Sequence, residues 1–217
     1  MTSVRKKTVL IADDHALLAA GIAGLLAGEY EVVGLASNGR HLIADAFRLN
    51  PNLIVLDISM PEMNGIEAAS RLQQTVPEAK LIFVTQQIDP HYLRAAFRAG
   101  ASAYVAKQSA SEELLLALRE ASAGRTFITP LLREAIGFVP ASELRKAVKN
   151  SGDSLTTRQR EILQLIAEGK TAREISTVLS ISTKTVEFHK KALMDSTGLR
   201  TIAELTRYAI TNGFVAL

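Results

Sequence analysis

The first half of the chain repeats one pattern five times, and that repetition constrains the fold more than any other feature. Short apolar runs rich in Val, Ile and Leu lie at residues 8–12, 31–36, 53–56, 81–84 and 103–106. Each is short, reads as a buried strand, and is followed by a stretch with helical spacing. The helical stretches are marked by Leu17, Ile22, Leu25 and Leu26, then by Leu42, Ile43, Ala46, Phe47 and Leu49. Ile66, Ala69 and Leu72 mark the third, Leu93, Ala96 and Phe97 the fourth, and Leu114, Leu115 and Leu118 the fifth. Five strand–helix repeats predict an α/β, doubly wound parallel sheet covered by helices on both faces, spanning residues 1–123. Ligands of such sheets sit beyond the carboxyl ends of the strands, so the functional edge is set before any motif is considered.

The rhythm stops at residue 124. Gly124, Pro130, Gly137, Pro140 and the run Lys149-Asn150-Ser151-Gly152 punctuate residues 124–152, which read as a linker with one or two short helices. Residues 153–217 contain no strand-like run and read as a small all-α domain. Net charge divides along the same line. Residues 1–123 hold 11 Lys/Arg against 13 Asp/Glu, whereas the segments after them sum to +5. An acidic half before a basic half suits a regulatory domain joined to one that meets phosphates, although the charge split alone decides little. The chain has no Cys, which removes disulfides, thiolate zinc sites and cysteine nucleophiles. The apolar run after Arg5, Lys6 and Lys7 is too short for a signal segment or a span, so a soluble, cytoplasmic protein without membrane contact is expected.

Chemistry is concentrated at the strand ends. The first strand ends in Asp13 and Asp14, the third in Asp57, the fourth in Thr85, and the fifth is followed by Lys107. Taken singly, each is an ordinary turn, cap or surface residue. Together, in a parallel sheet, they meet at one edge. Three neighbouring carboxylates repel one another unless a cation binds among them, and a hard ion with oxygen ligands, Mg²⁺, fits best. Lys107 and the Thr85 hydroxyl suit the oxygens of a phosphoryl group, which an Asp can accept covalently. Asp13-Asp14, the run from Asp57 through Pro61 to Gly65, Thr85, and Tyr104 to Lys107 resemble the receiver domain of bacterial response regulators over about residues 6–123. The resemblance implies a flavodoxin-like (βα)5 fold with Asp57 as phosphoacceptor. It also implies Mg²⁺ held by Asp14, by Asp13 through water, by Asp57 and by the backbone carbonyl of Ser59. Thr85 and Lys107 would contact the phosphoryl group, and the rotamer of Tyr104 would follow Thr85. Ser59 and Gln87 occupy positions where family members vary in phosphate lifetime.

The basic half carries its own signals. Thr156 to Gln159 and Thr171 to Glu174 have capping-box spacing, and Gly169 stops the helix between them. A turn at Ser180-Ile181-Ser182 leads to a third helix, giving a helix-turn-helix whose second member would enter the major groove. On that helix Val186 and Leu193 mark the core side, with His189 and Lys190 at its boundary. Lys184, Glu187, Phe188 and Lys191 share the other side. The lysines suit phosphates or guanine, Glu187 cytosine N4, and Phe188 a thymine methyl. Leu155 to Glu161, Gly169, Glu174, Ile175, Leu179 and Lys184 to His189 resemble the LuxR-type helix-turn-helix, over about residues 153–214. Glu187 stands where several relatives place a Lys. The two resemblances together identify the NarL/FixJ class of response regulators. They imply a four-helix DNA-binding domain contacting double-stranded DNA through Lys184, Thr185, Glu187, Phe188, Lys190 and Lys191. A sensor histidine kinase as phosphodonor and a homodimer on DNA are implied as well. The final helix, with Ile202, Leu205 and Ala209 in one stripe, serves either dimerisation or core closure.

The expected function is therefore phosphorylation-switched transcription regulation. A phosphorylation-independent regulator, controlled by dimerisation or another ligand, is the alternative. A Mg²⁺-dependent hydrolase is disfavoured, because Asp57-Ile58-Ser59 lacks the second acid that would protonate a leaving group. No conventional enzyme is expected.

Overall fold

The computed structural model describes residues 6–136, 143–144 and 155–215. The chain divides into two compact units, the first containing the described residues up to Met60 and from Asn64 to Leu144, the second those from Leu155 onward. In the first unit the elements run β1 (Thr8–Ala12), α1 (Ala16–Leu26), β2 (Glu31–Ala36), α2 (Gly39–Leu49), β3 (Leu53–Leu56), α3 (Gly65–Thr75), β4 (Lys80–Thr85), α4 (Pro90–Arg98), β5 (Ala101–Ala106) and α5 (Ala110–Ser122). A single 3-10 turn, Lys107–Ser109, links β5 to α5. After these come β6 (Phe127–Ile128) and α6 (Pro130–Ile136). The sheet is parallel throughout, in the order β2-β1-β3-β4-β5-β6.

Burial follows the alternation of side chains along each strand. Val9, Ile11, Val55, Ile82, Val84 and Val105 point to one face, where they pack with Ala19, Ile22 and Leu26 of α1 and Leu114, Ala117 and Leu118 of α5. The intervening residues, among them Leu10, Ile54, Leu56 and Phe83, are equally buried and so fill the opposite face. There α2, α3 and α4 pack in sequence and bury Leu42, Ala46, Leu72, Leu93 and Phe97. Both faces being covered explains why the strands read as unbroken apolar runs.

The five expected strands and five helices are all present. One element is additional: β6 lies within residues expected to be linker. Two residues between Gly124 and Pro130 are too few to show a strand period. Phe127 and Ile128 become a strand because the edge of β5 offers them a partner. Of the expected linker, residues 137–142 and 145–152 lie outside the described residues.

The second unit consists of α7 (Thr157–Ala167), α8 (Ala172–Leu179), α9 (Thr183–Thr197) and α10 (Ile202–Thr211). Three of the four open with a reciprocal capping box: Thr156 with Gln159, Thr171 with Glu174, and Thr201 with Glu204. In each, the Thr hydroxyl satisfies a first-turn N–H and the Gln or Glu side chain answers the cap's own N–H. α9 starts at Ser182, whose hydroxyl accepts from the Thr185 N–H at 3.0 Å. The turn before α9 passes through Ser180, in the left-handed region at φ 52°. Ile162, Leu163, Ile175, Leu179, Val186, Leu193, Leu205 and Ala209 form the core. Leu205 and Ala209 therefore close the core, while Ile202, from the same stripe, is exposed.

Candidate functional site

Each acid-site residue is delivered by the end of a buried strand. Adjacent strands are in register up to that edge: the Asp57 N–H donates to the Ala12 carbonyl at 2.9 Å, and the Asp13 N–H to the Ala36 carbonyl at 3.0 Å. Asp13 and Asp57 are buried, and Thr85 has no exposed surface. Lys107 reaches back across the edge with its ammonium between two carboxylates. Its Nζ lies 2.8 Å from Asp13 Oδ2 and 2.7 Å from Asp57 Oδ2. Burial alone pulls the Lys107 pKa down, but the hydrogen bonds and charges of Asp13 and Asp57 outweigh it and hold the ammonium above its ordinary value.

The two oxygens of Asp57 differ. Oδ2 is taken by Lys107, whereas Oδ1 is buried and has no hydrogen-bond partner among the described residues. A buried carboxylate oxygen without a partner is costly unless something else meets it. Asp14 is more open and pairs with His15, whose Nδ1 lies 2.9 Å from Asp14 Oδ1 and 3.3 Å from Asp13 Oδ1. Donor atoms of Asp13, Asp14 and His15 lie within 4.8 Å of one another, an arrangement that a cation could use. His15 carries no expected role from sequence; its place directly after the acidic pair was the available signal.

Behind Asp57 the chain turns sharply. The Gly65 N–H donates to the Ile58 carbonyl at 2.9 Å, and a Cβ at Gly65 would lie only 1.9 Å from the Asp57 carbonyl oxygen. Asn64 then opens α3 by accepting from the Glu67 N–H. At the neighbouring strand end, Thr85 Oγ1 accepts from the Gln87 N–H at 3.2 Å. The Gln87 side chain donates to Ser59 Oγ at 3.4 Å, and the Gln87 carbonyl accepts from the Tyr104 hydroxyl at 2.6 Å. Tyr104 is fully buried. Burial first, and then the negative charge of Asp57, drive the phenol's pKa far up. The structure thus brings Asp13, Asp14, Asp57, Thr85 and Lys107 to one edge, with Ser59 and Tyr104 tied to it through Gln87.

On α9 the faces divide as the spacing requires. Val186 and Leu193 are buried, and Lys184, Glu187, Phe188 and Lys191 are exposed, Phe188 to 69%. His189 is half-buried and stacks edge-on against Phe188. Glu187 is engaged: Lys190 Nζ lies 2.7 Å from its Oε2, an i,i+3 pair. The Thr185 hydroxyl contacts the capping Ser182 Oγ at 2.8 Å.

The first unit's residues 9–119 match the family of response regulator receiver domains, and residues 153–209 match the luxR family of bacterial regulatory proteins. The chain belongs to the two-component response regulators. This response regulator carries a LuxR-type helix-turn-helix as its DNA-binding domain, and its family regulates transcription rather than acting as conventional enzymes. It is similar to the oxygen regulatory protein NreC of Staphylococcus aureus, 34% identical across 93% of this chain and 96% of that one. Among solved structures it resembles RcsB of Salmonella typhimurium, at 26% identity and a TM-score of 0.63, over 96% of this chain and 99% of that one. The RcsB–DNA complex is similar at 27% identity and a TM-score of 0.57, over the same shares, and RcsB has also been seen as two dimers bound to two parallel DNAs. Among the described residues no helix is long and apolar enough to cross a membrane.

Proposed function

We propose that this response regulator is a cytoplasmic transcription regulator switched by transfer of a phosphoryl group from a sensor histidine kinase to Asp57. The reading is carried by the asymmetry of the Asp57 carboxylate, with Oδ2 held by Lys107 and Oδ1 buried without a partner. Oδ1 is the nucleophile. It forms a bond to phosphorus as the bond from phosphorus to the donor imidazole breaks, leaving an aspartyl phosphate and a free imidazole. Lys107 and the Thr85 hydroxyl then hold the new phosphoryl oxygens. Asp13, Asp14, Asp57 and the Ser59 backbone carbonyl would hold Mg²⁺, which supplies charge neutralisation between the carboxylates and the incoming phosphoryl group. The carboxylate oxygens of Asp13 and Asp14, which lie within 4.8 Å of one another and of a His15 ring nitrogen, support that fit. When the Thr85 hydroxyl turns to the phosphoryl group it leaves the Gln87 N–H, and Tyr104, bonded to the Gln87 carbonyl, senses the change.

In this reading residues 1–123 are the receiver, 124–152 the linker and 153–217 the DNA-binding domain. A homodimer places two α9 helices on half-sites about one helical turn apart. Lys184, Lys190 and Lys191 meet phosphates or guanine, Thr185 a phosphate, Glu187 cytosine and Phe188 a thymine methyl. Exposure of Phe188 between Lys184 and Lys191 supports this face as the reader.

The test is incubation with acetyl phosphate and Mg²⁺, read by intact mass and size exclusion. Wild type gains one phosphoryl group and shifts its oligomeric state, and Asp57→Ala gains none. A wild type that gains nothing under conditions that label other receivers rejects the switch and favours phosphorylation-independent control. For the DNA face, Lys191→Ala should weaken binding about equally on all sequences and lower the slope of log affinity against log salt by about 1. An unchanged slope, measured by fluorescence anisotropy across a salt series, removes Lys191 from the phosphate contacts.

A further inference from the structure

An exposed edge strand invites pairing with a second chain, but β5 of the receiver does not end the sheet. β6 lies along it in parallel, with Ala103 opposite Phe127 and Tyr104 opposite Ile128. Phe127, Ile128, Thr129 and Leu132 are all buried, and α6 packs against α4. Thr129 is the joint. It has no exposed surface, and each of its polar groups is used. Its N–H donates to the Tyr104 carbonyl at 2.9 Å, and its hydroxyl donates to the Glu113 carboxylate on α5. Its carbonyl accepts from the Leu132 and Arg133 N–H groups, both at 3.1 Å, and so opens α6. Pro130 follows at the first helical position, where its missing N–H costs nothing. One residue therefore fastens β5, α5 and α6.

The residue that accepts from Thr129 is the one tied to the acid edge. Tyr104 holds the Gln87 carbonyl through its hydroxyl, and the Gln87 N–H is held by Thr85. An unbroken series of hydrogen bonds thus runs from Thr85 through Gln87 and Tyr104 to Thr129. Thr129 stands where the chain leaves the receiver for the DNA-binding domain. Two strand residues and a short helix form a small cooperative unit, able to open without unfolding the sheet.

We propose that residues 127–132 are a docked output strap: they fill the β5 edge and the α4 flank, exclude a second receiver from that edge, and receive the state of Tyr104 through Thr129. The docking stands on its own; the coupling rests on the phosphoacceptor reading above. Hydrogen exchange of the full-length protein, read on peptides covering residues 126–134, tests both, with intact mass and DNA affinity measured in parallel. In wild type these amides should exchange about 100-fold or more slower than a random chain, and Thr129→Val should speed them about tenfold while the α7–α10 peptides stay unchanged. Glu113→Gln, which keeps a weaker acceptor, should fall between the two and serves where Thr129→Val fails to fold. Acetyl phosphate with Mg²⁺ should alter exchange of the same peptides in wild type, and Thr129→Val should lose most of the phosphorylation-dependent gain in DNA affinity. Random-chain exchange in wild type overturns the strap. A phosphorylated wild type with unaltered strap exchange, or a Thr129→Val chain with a full DNA response, overturns the coupling. A wild type that gains no phosphoryl group rejects the acid-site reading and the coupling with it, and leaves the docking to be decided by the Thr129→Val comparison.

Discussion

A Lys107→Met chain is expected to lose about 3–5 kcal/mol of receiver stability at neutral pH, and to accept no phosphoryl group. Methionine fills much of the same volume, so the loss is electrostatic. The Lys107 side chain is only 7% exposed and stands between two carboxylates that are each 3% exposed. Removing it leaves two buried negative charges facing each other without compensation. The pH dependence has a definite sign. The folded pKa of Lys107 lies above the unfolded value near 10.5, so its contribution is complete below about pH 10.5 and fades as pH rises through the folded value. The stability gap between wild type and variant should therefore stay level from about pH 7 to 10 and shrink only above that. Urea unfolding of the receiver transition at several pH values measures it, and a gap that already closes by about pH 8 would contradict the assignment.

Gly65→Ala is expected to be as damaging through a single methyl group. Its Cβ would sit 1.9 Å from the Asp57 carbonyl oxygen and 2.9 Å from the Asp57 carbonyl carbon, both backbone atoms with no rotamer to escape into. The turn from Ile58 to Gly65 must move, and Asp57 and Ser59 move with it. The cost should reach the upper end of the overpacking range, about 3 kcal/mol. Misplacement of the nucleophile by an ångström or so should slow phosphoryl uptake about 100-fold. DNA binding by the unphosphorylated chain should be unaffected. An intact-mass time course with acetyl phosphate decides it: uptake at the wild-type rate would mean the turn relaxes without disturbing Asp57.

Much of this was legible in the sequence because it depends on local periodicity. Strands buried on both faces are written as continuous Val/Ile/Leu runs, and Thr156 with Gln159 or Thr171 with Glu174 state a helix start in four residues. The acid edge was legible for a different reason: a parallel sheet places all its strand ends together, so five scattered polar residues could be assembled without coordinates. What escaped depends on partners distant in sequence or on a choice of rotamer. Phe127 and Ile128 are a strand only because β5 lies beside them. The Tyr104–Gln87–Ser59 contacts need the geometry of three strand ends at once. The pairing of Glu187 with Lys190 in the unbound chain is another such choice, an i,i+3 contact that the spacing permits but does not require.

The position of Lys107 also bears on when in its life the molecule becomes responsive. The lysine stands in the 3-10 turn just after β5, 50 residues after the aspartate it holds, and the two meet only once the two strands and two helices between them have docked. Contacts of such long sequence separation form late, after their loop entropy has been met by the rest of the sheet. During synthesis Asp13 and Asp57 emerge before Lys107 does. A nascent, truncated or misfolded copy therefore has the aspartate without the machinery around it. On the phosphoacceptor reading, a copy in which Lys107 has not reached Asp57 should take up no phosphoryl group, so the chemistry of the site would also report that the fold is complete.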